Sequence, residues 1–279
     1  QGRHMEAAAD WLLDNYYLVE EQIRVARDLL PRSYSRELPR LKTGPFRGFP
    51  VVYELVLELV THTDGHVDIE HLSAFTAAYQ RVRPLKLGEL WAVPIMLRLA
   101  LIENLRRVAY RIAWRRRNRD LGQAWAQRFL TVVQKRPKDL ITVLADLARE
   151  DLPLHTPFVA ELSSGLCGQS AALGLVLNWL EQELGESGQT LEQVLRAESQ
   201  EQAADQASIA NSISSLRRLN TQDWRAFVES ESLTEKTLRE DPLGVYAATD
   251  FRTRDHCRHG VEELARRCKL DEPAGAKQA

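Results

Sequence analysis

The chain has 279 residues, 44% hydrophobic and 27% charged, with 37 Lys and Arg set against 39 Asp and Glu for a net charge of −2. That composition excludes a disordered chain and a globally basic nucleic-acid binder, and 14 Gly with 11 Pro are too few for a turn-rich all-β fold. Three Cys make no disulfide framework and point to a reducing compartment.

In chain order, residues 1–5 read as a vector remnant, with no signal peptide behind them. Trp11, Leu12, Tyr16, Val19, Ile23, Ala26 and Leu30 recur at three- and four-residue steps, the spacing of one helix face. Pro31 stops that helix, and Pro39, Pro45 and Pro50 mark residues 32–50 as a connector. Residues 51–60 are apolar enough for a strand, but Glu54 and Glu58 four apart suit a wet helix face better. Residues 62–65 form a turn, and Asp68 is a good N-cap for a helix to about Val82.

Residues 87–119 carry the strongest helical stripe, from Leu90 and Trp91 through Ile95, Leu99, Ile102 and Leu105 to Ile112. Pro94 is expected in the first turn, where its missing N–H costs nothing, with about 25 residues or ~37 Å of helix to follow. Arg98 and Glu103 interrupt the stripe, so it is no membrane span. Helical pattern resumes over 122–134, 138–148 and 156–166, loosens at 165–174, and returns over 175–184. Thr190 with Gln193 and Ser232 with Glu235 have capping-box spacing. The first opens a helix to about Leu219 whose sparse apolar positions predict that it lies over the surface of a bundle. A turn at 241–244 precedes a last helix capped by Thr249 or Asp250 and running to Cys268. The expected fold is all-α: a multi-helix bundle of about ten helices around one long central helix. It occupies residues 6–270 as one domain, with a possible subdivision near 150–175 and a polar tail at 271–279.

Chemistry-bearing residues are few. Arg111, Arg115, Arg116, Arg117 and Arg119 crowd the end of the long helix, where they offer an anionic membrane surface a contact or simply favour the helix dipole. Apart from Trp114 they lack the aromatic interleaving of a base-stacking surface, so no nucleic acid is expected. His62, Asp64, His66, Asp68 and His71 are ligand types, yet a polar turn needs the same types for capping. His256, Cys257, His259 and Cys268 lack zinc spacing, and no metal site is assigned. The carboxylate pairs sit at helix-surface spacing, and phosphate-loop, nucleophile-elbow and Asp-x-Asp motifs are absent, so no catalytic residue is named. Residues 241–255 pack a turn, Tyr246, Phe251 and alternating charges into a short span. Asp250, Arg252, Arg254 and Asp255 there make a candidate docking surface, beside the plainer reading of a helix cap with aromatic plugs.

Several long stretches, at residues 9–17, 87–106, 202–217, 223–230, 241–246 and 250–255, resemble the N-terminal region of cyclic β-1,2-glucan synthases. The resemblance implies a segment of a large bacterial inner-membrane enzyme that polymerises glucose from UDP-glucose, with a divalent cation, and cyclises the product. It implies that this segment lies on the cytoplasmic side and carries no cofactor of its own. Its partners would be the membrane and glycosyltransferase parts of the same polypeptide, with the membrane surface as a further candidate. It also implies growth of the glucan on a protein-borne primer. A tyrosine hydroxyl suits such an acceptor because a general base can deprotonate it for attack on the anomeric carbon. Tyr246 is the candidate acceptor, with Tyr16, Tyr17 and Tyr110 left open. Two other readings stand beside this one: an interaction scaffold held at the membrane by the Arg-rich helix end, and an all-α carbohydrate-active module.

Overall fold

The computed structural model describes residues 7–150 and 154–278, so the expected remnant at 1–5 lies outside the described residues. Among the described residues fifteen α-helices follow one another: α1 (Ala7–Asp14), α2 (Tyr16–Leu29), α3 (Arg32–Glu37), α4 (Val51–His62), α5 (Ile69–Gln80), α6 (Leu87–Lys135), α7 (Leu140–Arg149), α8 (Thr156–Leu166), α9 (Gly174–Glu186), α10 (Leu191–Leu219), α11 (Trp224–Glu231), α12 (Leu233–Leu238), α13 (Val245–Ala248), α14 (Phe251–Cys268) and α15 (Glu272–Ala276). Helix makes up 78% of the chain without a strand among the described residues, so the all-α expectation holds. Residues 51–62 are helical throughout, as the Glu54 and Glu58 spacing indicates.

The described residues fall into two compact units. Among the described residues, one unit comprises 7–10, 106–150 and 154–207, the other 11–105 and 208–278. Unit 1 packs Trp125, Phe129, Leu140, Leu147, Phe158, Leu162, Leu173, Val176 and Leu180 into one core. Each such side chain contributes about 1.5–3 kcal/mol by leaving water. In unit 2 the core residues include Val52, Val56, Val60, Leu72, Leu90, Leu97, Leu101, Ile209, Ile213, Phe227 and Val228.

Four local expectations change. First, α6 runs 49 residues and takes in both Pro94 and Gly122. Pro94 sits at its eighth position, not in its first turn, and is buried. Gly122 continues the helix because a neighbour needs its bare backbone: a Cβ there would lie 2.6 Å from the Phe158 carbonyl oxygen. Second, α10 lies at the surface over 191–207, as expected, but its second half is buried. Ser208, Ser212 and Ser215 are buried, and each hydroxyl is bonded. Asn104 Nδ2 donates to Ser208 and Ser212 at 3.1 and 3.0 Å, while Ser215 Oγ donates to Gly65 O at 2.8 Å. Gly65, at φ +77°, is required in this turn, since a Cβ would meet Ser212 Oγ at 2.2 Å.

Third, the Pro-rich connector holds the short helix α3. Fourth, residues 271–278 are no loose tail. Asp271 caps α15, accepting from Ala274 N at 2.8 Å, and α15 packs on α12 and α14. Glu272, Gly275 and Ala276 are buried. Both capping boxes form at their Ser/Thr half. Thr190 and Gln193 bond reciprocally at 3.2 and 2.9 Å. Ser232 accepts from Glu235 N at 3.1 Å, but the Glu235 carboxylate turns elsewhere.

Candidate functional site

Within unit 2 a cleft of about 1110 Å³ opens at the start of α6. Its lining includes Leu29, Tyr34, Leu38, Trp91, Pro94, Ile95 and Trp224 among apolar and aromatic groups. Glu37, Glu89, Asp255, Glu262 and Glu272 bring carboxylates, and Lys86, Arg98, Arg266 and His259 bring nitrogen. A helix start leaves backbone N–H groups without partners, and α6 meets that need with acids. Glu89 reaches back to Lys86 N at 3.2 Å, and Glu272 Oε2 accepts from Leu87 N at 2.8 Å. Glu89 is fully buried and held by Arg83 in a two-pronged bond of 3.0 and 2.9 Å. Burial raises the Glu272 carboxyl above the ordinary value, and the Leu87 N–H only partly offsets it.

The cleft walls are fixed by further hydrogen bonds. Tyr34 donates its hydroxyl to Gly88 O at 2.6 Å. Burial first, then Glu262 and Glu37, push its pKa up to about 12, so it remains a phenol. Arg98 is buried, and its guanidinium meets neutral acceptors: Gln22 Oε1 at 2.9 Å, Pro94 O at 2.8 Å and Asn220 Oδ1 at 3.3 Å. Burial lowers its pKa from the usual arginine value. Trp224 Nε1 donates to Leu219 O at 3.0 Å, which fixes the plane of its ring.

Next to the cleft lies a buried ion network. Arg258 is wholly buried and bonds Glu235 at 2.6 Å, Asp255 at 3.0 Å and Glu229 at 3.1 Å. Arg254 forks onto Glu229 at 2.9 and 3.1 Å, and Arg239 reaches Glu235 at 2.7 Å. Burial alone would raise the Glu229 carboxyl, but hydrogen bonds from Arg254 and Arg258 outweigh it and hold the pKa below the ordinary value. The guanidiniums of Arg258 and Arg225 lie 5.1 and 5.2 Å from the centre of the Phe251 ring.

The residues singled out from sequence fall as follows. Tyr246 is half-buried and donates its hydroxyl to Glu235 Oε2 at 2.5 Å. Burial, reinforced by Glu235, raises its pKa far above that of a free phenol. Asp250 caps α14 by accepting from Thr253 N at 2.7 Å. Arg254 and Asp255 belong to the ion network, and Asp255 also edges the cleft. Arg252 is exposed.

Of the arginines on α6, Arg115 is 1% exposed and bonds Glu198 at 2.9 Å and Glu201 at 2.8 Å. Arg111 donates to Asp205 at 2.6 Å, and Arg119 lies 3.4 Å from Glu198. These three face acids of α10 within unit 1, whereas Arg117 is exposed and Arg116 half-buried. Asp68 caps α5 and holds His71 Nδ1 at 2.6 Å, so that His/Asp cluster works as a cap. Among the described residues no helix is long and apolar enough to cross a membrane, and no group of three His, Cys, Asp or Glu is gathered as for a metal ion.

Sequence comparison adds the decisive observation. Over 266 residues the chain is 36% identical to the cyclic beta-(1,2)-glucan synthase NdvB of Rhizobium meliloti (strain 1021). The chain is homologous to the N-terminal part of a cyclic β-(1,2)-glucan synthase. The match takes in 95% of this chain but spans only 9% of the relative's length, so this segment corresponds to a small part of that synthase. The resemblance seen in the residues is thereby borne out. No family model matches the chain.

Missing from the sequence reading were the cleft and the acids that face the arginines. The second had a visible signal. Glu198, Glu201 and Asp205 share one face of α10, at steps that match Arg111, Arg115 and Arg119 on α6. The first had none, because its lining is drawn from positions as far apart as Leu29 and Glu272.

Proposed function

We propose that this chain is an accessory helical module of a cyclic β-1,2-glucan synthase. It docks against the remainder of the same polypeptide on the cytoplasmic face of a bacterial inner membrane, and it leaves glucose transfer from UDP-glucose to that remainder. The observation that carries this reading is the homology itself: nearly all of this chain aligns with a small part of a much longer synthase. The commitment of its buried acids supports it. Glu89, Glu229 and Glu235 are bound to arginines, and Glu272 caps a helix, so each has a structural task.

Deletion of this segment from the full-length synthase tests the proposal. Glucan yield from UDP-glucose should fall, and the separately expressed segment should co-purify with the remainder. Cleavage of β-1,2-glucan or turnover of UDP-glucose by the purified segment alone would overturn it. A role for Tyr246 as the protein-borne acceptor belongs to this reading only if its hydroxyl can leave Glu235. Intact mass of the full-length protein after incubation with UDP-glucose should then show a hexose ladder. A Tyr246→Phe protein that keeps the ladder removes Tyr246 from the role.

A further inference from the structure

We infer that the unit 2 cleft is a binding site for a neutral glucan chain, the product of the parent enzyme rather than its nucleotide-sugar donor. This rests on the proposed role above, which makes a glucan the polymer at hand. Three features of the cleft carry it.

The first is size. At about 1110 Å³ the cleft exceeds the ~300–1,000 Å³ that encloses a drug-sized ligand, so it has room for an oligosaccharide. The second is the pairing of aromatic and polar groups. Trp91 on α6 and Trp224 at the start of α11 both line the cleft and are both half-buried. The C–H face of a pyranose is apolar, with slightly positive hydrogens, and packs on the negative face of an indole. The bond from Trp224 Nε1 to Leu219 O holds its ring in place before any ligand arrives, so little ordering cost remains.

The third is charge. Of the five carboxylates that line the cleft, Glu89 is bound to Arg83, Asp255 to Arg258 and Glu262 to Arg266, so the lining holds no cluster of unpaired cations. A diphosphate would find no set of free cations to hold it there, whereas a sugar hydroxyl both donates and accepts and can use either sign. Glu262 at the rim accepts from Arg266 at 3.1 Å and keeps acceptor capacity toward the cleft. Arg98, bound to neutral acceptors only, lines the same cleft.

Titration of the 279-residue chain with linear β-1,2-linked glucose oligomers, followed through the indole N–H signals of its tryptophans, tests the inference. Trp91→Phe and Trp224→Phe assign the two signals. Both should move saturably, while Trp125, packed in the core of unit 1, should not. Trp91→Ala should weaken binding at least tenfold, and Glu262→Gln, a rim change that leaves the core intact, severalfold. Absence of saturable movement at Trp91 and Trp224 overturns the inference, as does movement of the same signals by UDP-glucose at lower concentration. Failure here leaves the deletion phenotype of the full-length synthase untouched. Loss of that phenotype with glucan binding retained would instead overturn the accessory role alone.

Discussion

Each unit buries one arginine among three carboxylates, and the two clusters are built on different plans. Arg115 in unit 1 meets Glu198, Glu201 and Asp205, all on α10. Two neighbouring arginines, Arg111 and Arg119, lean on the same acids, so the arrangement is a ladder between two helices. Arg258 in unit 2 meets Glu229 of α11, Glu235 of α12 and Asp255 of its own α14. Arg239, Arg254 and Tyr246 complete that network, which ties α11, α12 and α14 together. A ladder has redundancy, because losing one rung leaves its acids with other partners. The hub also leaves Glu229 with Arg254 and Glu235 with Arg239, but its central side chain joins three helices where Arg115 joins two. Removing one partner of a buried pair strands the other charge in a poorly solvated site.

The largest expected effect therefore falls on the hub. Arg258→Ala should destabilise unit 2 by about 3 kcal/mol in urea denaturation, because α11, α12 and α14 lose the one side chain that bonds all three, although Arg239 still faces Glu235 and Arg254 still faces Glu229. Arg115→Ala should cost less, about 1.5–3 kcal/mol, since Asp205 keeps Arg111 and Glu198 keeps Arg119. Equal losses in the two variants would erase the distinction between ladder and hub. Tyr246→Phe comes next, at about 0.5–1.5 kcal/mol for one hydrogen bond, because Glu235 retains Arg239 and Arg258.

The smallest effects are in pH. Glu229 has a lowered pKa when folded, so the folded state binds fewer protons there than the unfolded one. Its contribution is present above the unfolded value of about 4.3 and is lost as pH falls through the folded value. Glu272 has a raised pKa, and its sign is opposite: stability declines as pH rises from about 4.3 through the folded value. Glu229→Gln should flatten the acid limb of a melting-temperature profile, and Glu272→Gln should flatten the limb just above it. An unchanged acid limb in Glu229→Gln would mean that the hub does not couple to acid denaturation.

Most of the helices were legible in the chain, because their signals are local. Asp68 and Asp250 cap where a short acceptor should, and Gly65 closes the turn read at 62–65 with a positive φ. The failures share a cause. Pro94 and Gly122 are helix breakers by local rule, yet each lies inside α6, and the close approach of Phe158 to Gly122 is set by another helix. The serines of α10 look like a wet face, but Asn104 and the Gly65 turn satisfy them in the interior. Residues 271–276 looked like a tail by composition, although Asp271 before Glu272 and Pro273 is a helix start. Which acids neutralise the arginines of α6, and which rings meet across the cleft, depends on positions brought together only by folding.

The bond from Leu87 N to Glu272 joins positions 185 residues apart, and it sets an order of events. Residues 106–207, nearly all of unit 1, lie between the two halves of unit 2 in the chain. On the ribosome, unit 1 is therefore finished while unit 2 still lacks 208–279. Until Glu272 emerges, the start of α6 has an open backbone donor and the cleft lacks a wall. Closing contacts of such long sequence separation is slow, so unit 2 is the late-maturing part of the molecule and the one exposed longest to chaperones and proteases during synthesis.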